Sequence, residues 1–202
     1  MARTAKTKAA IGFRAHSGWA ARVVVGGDPN SPEVIDRRRV ELADQAVPGF
    51  PQPYHAAEGL QLKQAERLIG GCVDAAGRLA RTSLINVVDE LAEAGFKPVG
   101  CGLLLSSGRL PGTLAGILAS HTMIHTAEGE LFRDALAQAS RHCKLPLTGI
   151  KERELFDRAD SALNLSLDDI QLHIAEMGRS VGPPWRQDEK LAALVAWLVL
   201  AA

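Results

Sequence analysis

Apolar side chains fall at every second position, or in short unbroken runs, in three stretches near the start of the chain: residues 9–14, 19–25 and 34–42. Turn chemistry separates them, with Ala15-His16-Ser17-Gly18 after the first and Gly26-Gly27-Asp28-Pro29-Asn30-Ser31-Pro32 after the second. Period-two patterning bounded by such turns predicts three consecutive strands in an antiparallel meander. Residues 1–8, basic and unpatterned, are expected to form a mobile tail.

After a loop carrying Pro48, Pro51 and Pro53 the period changes. Leu62, Ala65, Ile69, Cys72, Ala76 and Leu79 step by three and four, and Val87, Val88, Leu91 and Ala94 resume the stripe. This predicts one long helix over residues 55–94, with Gly70-Gly71 and Thr82-Ser83 as places where it bends or splits. Gly95 and Pro98 close it. Residues 99–105 are continuously apolar, as in a strand buried on both faces. A second main helix is expected over 113–143, a short strand over 145–150 and a helix over 153–163. Ser166 with Asp169 is a capping signature for a helix to about 177. Gly182-Pro183-Pro184-Trp185 is a break, and the last helix spans 187–200. The order β-β-β-α-β-α-β-α implies an α/β protein: a mixed sheet with helices on its faces and extra C-terminal helices. Residues 9–164 would form the core, and 165–202 a helical extension packed on that core or on a partner.

Composition narrows the classes. The 202 residues are 47% hydrophobic and 23% charged, as in an ordinary globular domain. Lysine plus arginine equal aspartate plus glutamate, so no global field draws in polyanions. Cys72, Cys101 and Cys143 form no CxxC pair, which argues against a disulfide framework and for a reducing cytoplasm. No secretory signal is expected. The apolar run 191–202 is shorter than the ~20 residues that span a bilayer, so it reads as a packing or homodimerisation helix and no membrane partner is expected. P-loop, dinucleotide and nucleophile-elbow signatures are absent.

Ile11-Gly12-Phe13, followed by Ser17-Gly18-Trp19-Ala20, looks like the strand, tight turn and second strand that open the ribonuclease H-like superfamily. With the element order, residues 9–164 resemble that superfamily, which includes the Holliday-junction resolvases and is related to the actin-like ATPases. The resemblance implies a site of metal-binding acids at the end of the first strand, on or near the fourth, and at the start of the last core helix. Arg14 stands at the first of these positions, residues 99–105 offer no acid, and Asp157 (with Asp160) matches the third. The implied two-metal chemistry thus lacks two of its carboxylates.

Two constellations carry candidate chemistry. One pole of the expected sheet collects Arg14, His16 and Ser17 from the first turn, His55 and Glu58 from the start of the long helix, and Ser106, Ser107 and Arg109 after the buried strand. Lys151 and Glu152 follow the last strand. There Arg14 and Arg109, helped by Ser17, Ser106, Ser107 and Asp157, would hold a phosphate-bearing or other anionic ligand. His16, or His55 with Glu58, would serve as acid or base. The bland account is that such loops are polar because they are solvated. The second constellation is His121, His125 and Glu128, at i, i+4 and i+7 on one helix face. It suits a divalent metal site, an acid/base pair or a polar seam between helices. Counted from residue 113, His121 lies about 12 Å along its helix, away from the ligand-binding loops. Arg37-Arg38-Arg39 alternates across a strand beside Asp36 and Glu41 and reads as a solvated, ion-paired edge. Three function classes follow: His-assisted hydrolysis or phosphoryl transfer on a phosphate-bearing small molecule or nucleic acid, a non-catalytic scaffold that self-associates through its last helix, and a metal-dependent hydrolase centred on His121.

Overall fold

The computed structural model describes residues 6–108 and 112–202. The alternating N-terminal runs form β1 (Thr7–His16), β2 (Trp19–Asp28) and β3 (Ser31–Glu41), an antiparallel meander. Gly18, at φ +84°, makes the two-residue turn between the first two strands, a backbone conformation that suits glycine. Thr7 and Lys8 belong to β1, pairing with Phe96 and Lys97, so the expected tail is shorter than eight residues.

The helical stripe resolves into α1 (Pro53–Ala56) and α2 (Leu62–Glu93). α2 runs unbroken through Gly70-Gly71 and Thr82-Ser83, because its buried line (Ala65, Ile69, Cys72, Ala76, Ala80, Leu84, Val87, Leu91) continues across both. β4 (Phe96–Leu105) begins before Pro98, which sits where the register with β1 slips. A proline is tolerated there because it has no ladder hydrogen bond to give. The expected 113–143 helix is in fact two, α3 (Leu114–Leu118) and α4 (His121–His142), parted at Ala119-Ser120. β5 (Leu147–Lys151), a short 3₁₀ turn, α5 (Leu155–Leu163), α6 (Leu167–Val181) and α7 (Gln187–Ala201) complete the order.

The sheet order is β3-β2-β1-β4-β5, with β1, β4 and β5 parallel. Ile11, Phe13, Val24, Cys101 and Leu103 face α2 and α4, where Leu84, Phe132 and Leu136 meet them. The opposite face, with Ala10, Val23, Val25 and Leu104, is covered by α7 and, outside it, α5 and α6. Burying both faces is what the unbroken apolar run in β4 demanded.

α7 packs on the chain's own core, one of the two alternatives its apolar sequence left open. Leu191, Leu194, Val195 and Trp197 are fully or almost fully buried against the chain's own strands, and the Trp197 indole donates to the Pro29 carbonyl at 2.7 Å. A homodimer through this helix would have to open the core. Two glycines admit it. A Cβ on Gly12 would fall on the Ala192 carbonyl oxygen, and one on Gly102 would lie 2.7 Å from that of Val195.

The arginine edge is paired as its alternation implied. Arg38 bonds Asp36 and Glu90 on one face, whereas Arg37 donates to the carbonyls of Gly182 and Pro184 on the other. No helix among the described residues is long and apolar enough to cross a membrane.

Candidate functional site

The break at Ala119-Ser120 makes His121 the first residue of α4. Because β4 and β5 are parallel and α4 is the crossover between them, that end of α4 lies at the C-terminal ends of the strands. The Ser106 hydroxyl, just past β4, donates to Glu130 at 2.6 Å and fixes the level of the helix. His125 is then about 7.5 Å farther out at 1.5 Å per residue, and His121 another turn beyond. The sequence placed these histidines away from the ligand-binding pole only because it merged two helices.

His121 and His125 face each other across one turn, Nε2 to Nε2 3.1 Å. A third imidazole joins them: His55, on α1, has its ring centroid 4.6 Å from that of His125 and 5.4 Å from that of His121. One ring nitrogen from each lies within 4.8 Å of the others. His121 and His125 are exposed and His55 half-buried, so the cluster opens to solvent.

Glu128 stands behind this group. Its Oε1 accepts from the backbone N–H groups of Tyr54 (2.9 Å) and His55 (3.0 Å) and from the His55 ring at Nδ1 (3.1 Å). One buried oxygen thereby holds the start of α1 and sets the His55 tautomer, with the proton on Nδ1 and the Nε2 lone pair free. The carboxylate is 2% exposed and its Oε2 is buried without a hydrogen-bond partner among the described residues. Burial raises the Glu128 carboxyl above its usual value, and the bonds from His55 and Tyr54 only partly oppose this. Burial, with the Glu128 charge adding to it, also raises the nearby Cys72 thiol to about 11, so it stays protonated at neutral pH.

Of the residues singled out in the sequence, Glu128 is thus the support of a cluster whose third imidazole is His55. Glu58, expected beside His55 as an acid/base partner, is exposed, and its backbone N–H closes a turn on the His55 carbonyl. Spacing along α4 could show His121, His125 and Glu128 on one face. It could not show that the proline-rich loop delivers His55 to them.

The strand-end pole is arranged differently. Arg14 donates through Nε and Nη2 to both oxygens of Glu152, at 3.2 and 3.1 Å, and through Nη1 to Asp188. His16 lies 2.9 Å from the same Asp188 oxygen and stacks on Trp19 at 4.3 Å, and the Arg39 guanidinium lies over the indole ring at 3.9 Å. Burial works to raise the Asp188 carboxyl, but the bonds to His16 and Arg14 outweigh it and hold it below the usual range.

Asp188 lies in the first turn of α7, the helix that packs on β1, whereas Asp157 is exposed on α5. The acid that meets Arg14 is therefore Asp188, brought there because α7 packs on β1. A pair of divalent cations held by carboxylates does not fit here: the Arg14 guanidinium already lies against both acids and takes up their oxygens. Ser17 occupies the β1–β2 turn, Ser106 is tied to Glu130, Ser107 is exposed, and Arg109 lies outside the described residues. Lys151 pairs with Glu154 at 3.4 Å.

No protein-family model matches the sequence, and no curated protein matches it. Solved structures do. The chain is similar to RuvC of T. thermophilus in complex with Holliday junction substrate, with a TM-score of 0.55 at 9% identity over 94% of this chain and 91% of that one. It is similar too to the Thermus thermophilus RuvC structure, with a TM-score of 0.53 at 9% identity over 94% and 92%. At such identity the likeness carries architecture alone, and the five-stranded mixed sheet between helical layers has the ribonuclease H-like fold.

Proposed function

We propose that this chain hydrolyses a phosphate-bearing ligand at the cluster of His55, His121 and His125. The observation that carries the reading is the convergence of three imidazoles, two of them 3.1 Å apart, at the strand-end side of an α/β sheet and open to solvent. Ligands in open α/β sheets collect beyond the carboxyl ends of the strands, and imidazole is the side chain best poised for proton or metal chemistry near neutral pH. The RuvC structure with Holliday junction substrate directs the choice of substrate toward phosphodiesters. In the reaction, a water oxygen bonds to phosphorus, the ester P–O bond breaks, and the proton lost by water balances the proton taken up by the departing alkoxide.

The arginine pole is the weaker location. To take a phosphate, Arg14 would have to release Glu152 or Asp188, exchanging one set of charge-assisted bonds for another. The test is hydrolysis of bis(4-nitrophenyl) phosphate and of short single-stranded and branched DNA by the full chain. His125→Gln and His121→Gln should each lower the rate by about 100-fold or more, within the range for loss of a group acting directly on the reacting centre. Rates unchanged in both variants would sink the reading.

A further inference from the structure

We propose that His55, His121 and His125 together bind one divalent transition-metal ion of the zinc class, with Glu128 as the carboxylate behind His55 and the remaining coordination positions open to water and substrate. The catalytic consequence rests on the reading of this cluster as the reactive centre; the binding itself does not.

Geometry is the first support. In a tetrahedral zinc site with Zn–N bonds of about 2.0–2.1 Å, neighbouring ligand nitrogens lie roughly 3.3 Å apart. His121 and His125 already stand at 3.1 Å, and all three donors fall within 4.8 Å. Seating an ion requires the three donors to draw together toward that spacing.

The second support is the tautomer. A metal-binding histidine characteristically gives its other N–H to a carboxylate or carbonyl, which orients the ring and makes it a better donor. Glu128 does this to His55, and it fixes the main chain leading into that residue through the Tyr54 and His55 amides as well. A polar seam between α1 and α4 has no need of one ring nitrogen from each of three histidines within 4.8 Å of the others.

Charge is the third. Glu128 is 2% exposed, and its Oε2 is buried without any partner among the described residues. Among those residues the cationic charge that would balance such a carboxylate is found at no lysine or arginine bonded to it; its partners are the Tyr54 and His55 amides and the His55 ring. A dication on the far side of that ring supplies it. Nitrogen donors select the zinc class over magnesium or calcium, which take oxygen ligands. Exposure of His121 and His125 marks an open site rather than a closed structural one. A water bound there would lose a proton to solvent near neutral pH, and the resulting hydroxide would attack phosphorus with no change in the oxidation state of the metal.

The experiment uses the full chain, purified without a histidine tag and stripped with chelator. Cobalt(II) is titrated by visible absorption, and zinc by competition against it. One equivalent should bind, with absorption bands typical of four- or five-coordinate nitrogen ligation, and millimolar magnesium should not displace it. His121→Gln and His125→Gln, both at exposed positions, should weaken binding by about 100-fold or more. Glu128→Gln should weaken it by about 10–100-fold, the range seen when the partner behind a ligand is removed. Thermal melts of each variant show that it is folded. Absence of saturable binding at one equivalent, or binding undiminished in the two histidine variants, overturns the proposal. The two readings separate cleanly. Hydrolysis by the stripped protein that still needs His125 overturns the catalytic role of the metal and keeps the hydrolase, whereas stoichiometric metal with no hydrolysis of any probe supports the metal and sinks the hydrolase.

Discussion

Glu128 Oε1 lies 3.1 Å from His55 Nδ1, and the same oxygen takes the successive backbone N–H groups of Tyr54 and His55. The pair joins α4 to a short helix that follows a proline-rich loop. It is therefore both a structural clasp and the device that aims His55 at its two companions. Removing the carboxylate would leave buried donors without an acceptor, and an unmade buried bond costs more than a made one gains. Glu128→Ala should lower stability in urea by about 3 kcal/mol, the upper end for charge-assisted bonds and the donors they leave behind. Glu128→Gln, which keeps an acceptor oxygen, should lose less. Equal losses would place the effect in packing.

The Arg14–Asp188–His16 group predicts an acid-side dependence. The folded-state pKa of Asp188 lies below its ordinary 3.8, so its contribution is fully present above that value and is lost as pH falls through the lower, folded one. Chemical denaturation followed from pH 5 down to pH 2 should show a decline that is shallower in Asp188→Asn than in the parent chain. Parallel curves would mean that the pair contributes nothing measurable.

Gly12 lies under the α7 backbone, and a methyl group there would meet the Ala192 carbonyl oxygen. Gly12→Ala should destabilise the fold by about 2–3 kcal/mol, since overpacking against backbone leaves little room to relax. The measurement is the urea midpoint. Gly59→Ala is the contrast: it meets no atom within 4 Å, so its effect should come only from the φ of +76°.

Truncation at Gly182 distinguishes a core helix from an interface helix. With α7 filling one face of the sheet, the shortened chain should lose cooperative unfolding and aggregate, because Leu191, Leu194, Val195 and Trp197 would leave a bare apolar face behind. A well-folded monomer after truncation, seen by circular dichroism and light scattering, would refute that placement.

The sequence by itself determined the order of elements. Period two between glycine- and proline-rich turns gave the meander, and the unbroken apolar run before Leu105 gave a strand covered on both faces. Pattern of this kind is local, and local steric and solvation rules decide it. It also put His121, His125 and Glu128 on one helix face. Everything that required two distant segments to meet was settled by tertiary structure. The third imidazole, His55, comes from α1, a short helix whose sequence does not say which part of α4 it will meet. Asp188, rather than Asp157, meets Arg14 because α7 lies on β1. A helix apolar around most of its circumference must be buried, but its sequence reads the same whether the covering surface is its own sheet or another chain. The break before His121 was likewise invisible, since Leu114, Ile117 and Leu118 continue the helical spacing up to it. Only the packing of α3 and α4 on their neighbours shows that the chain turns there, and that turn is what brings the histidines to the ends of the strands.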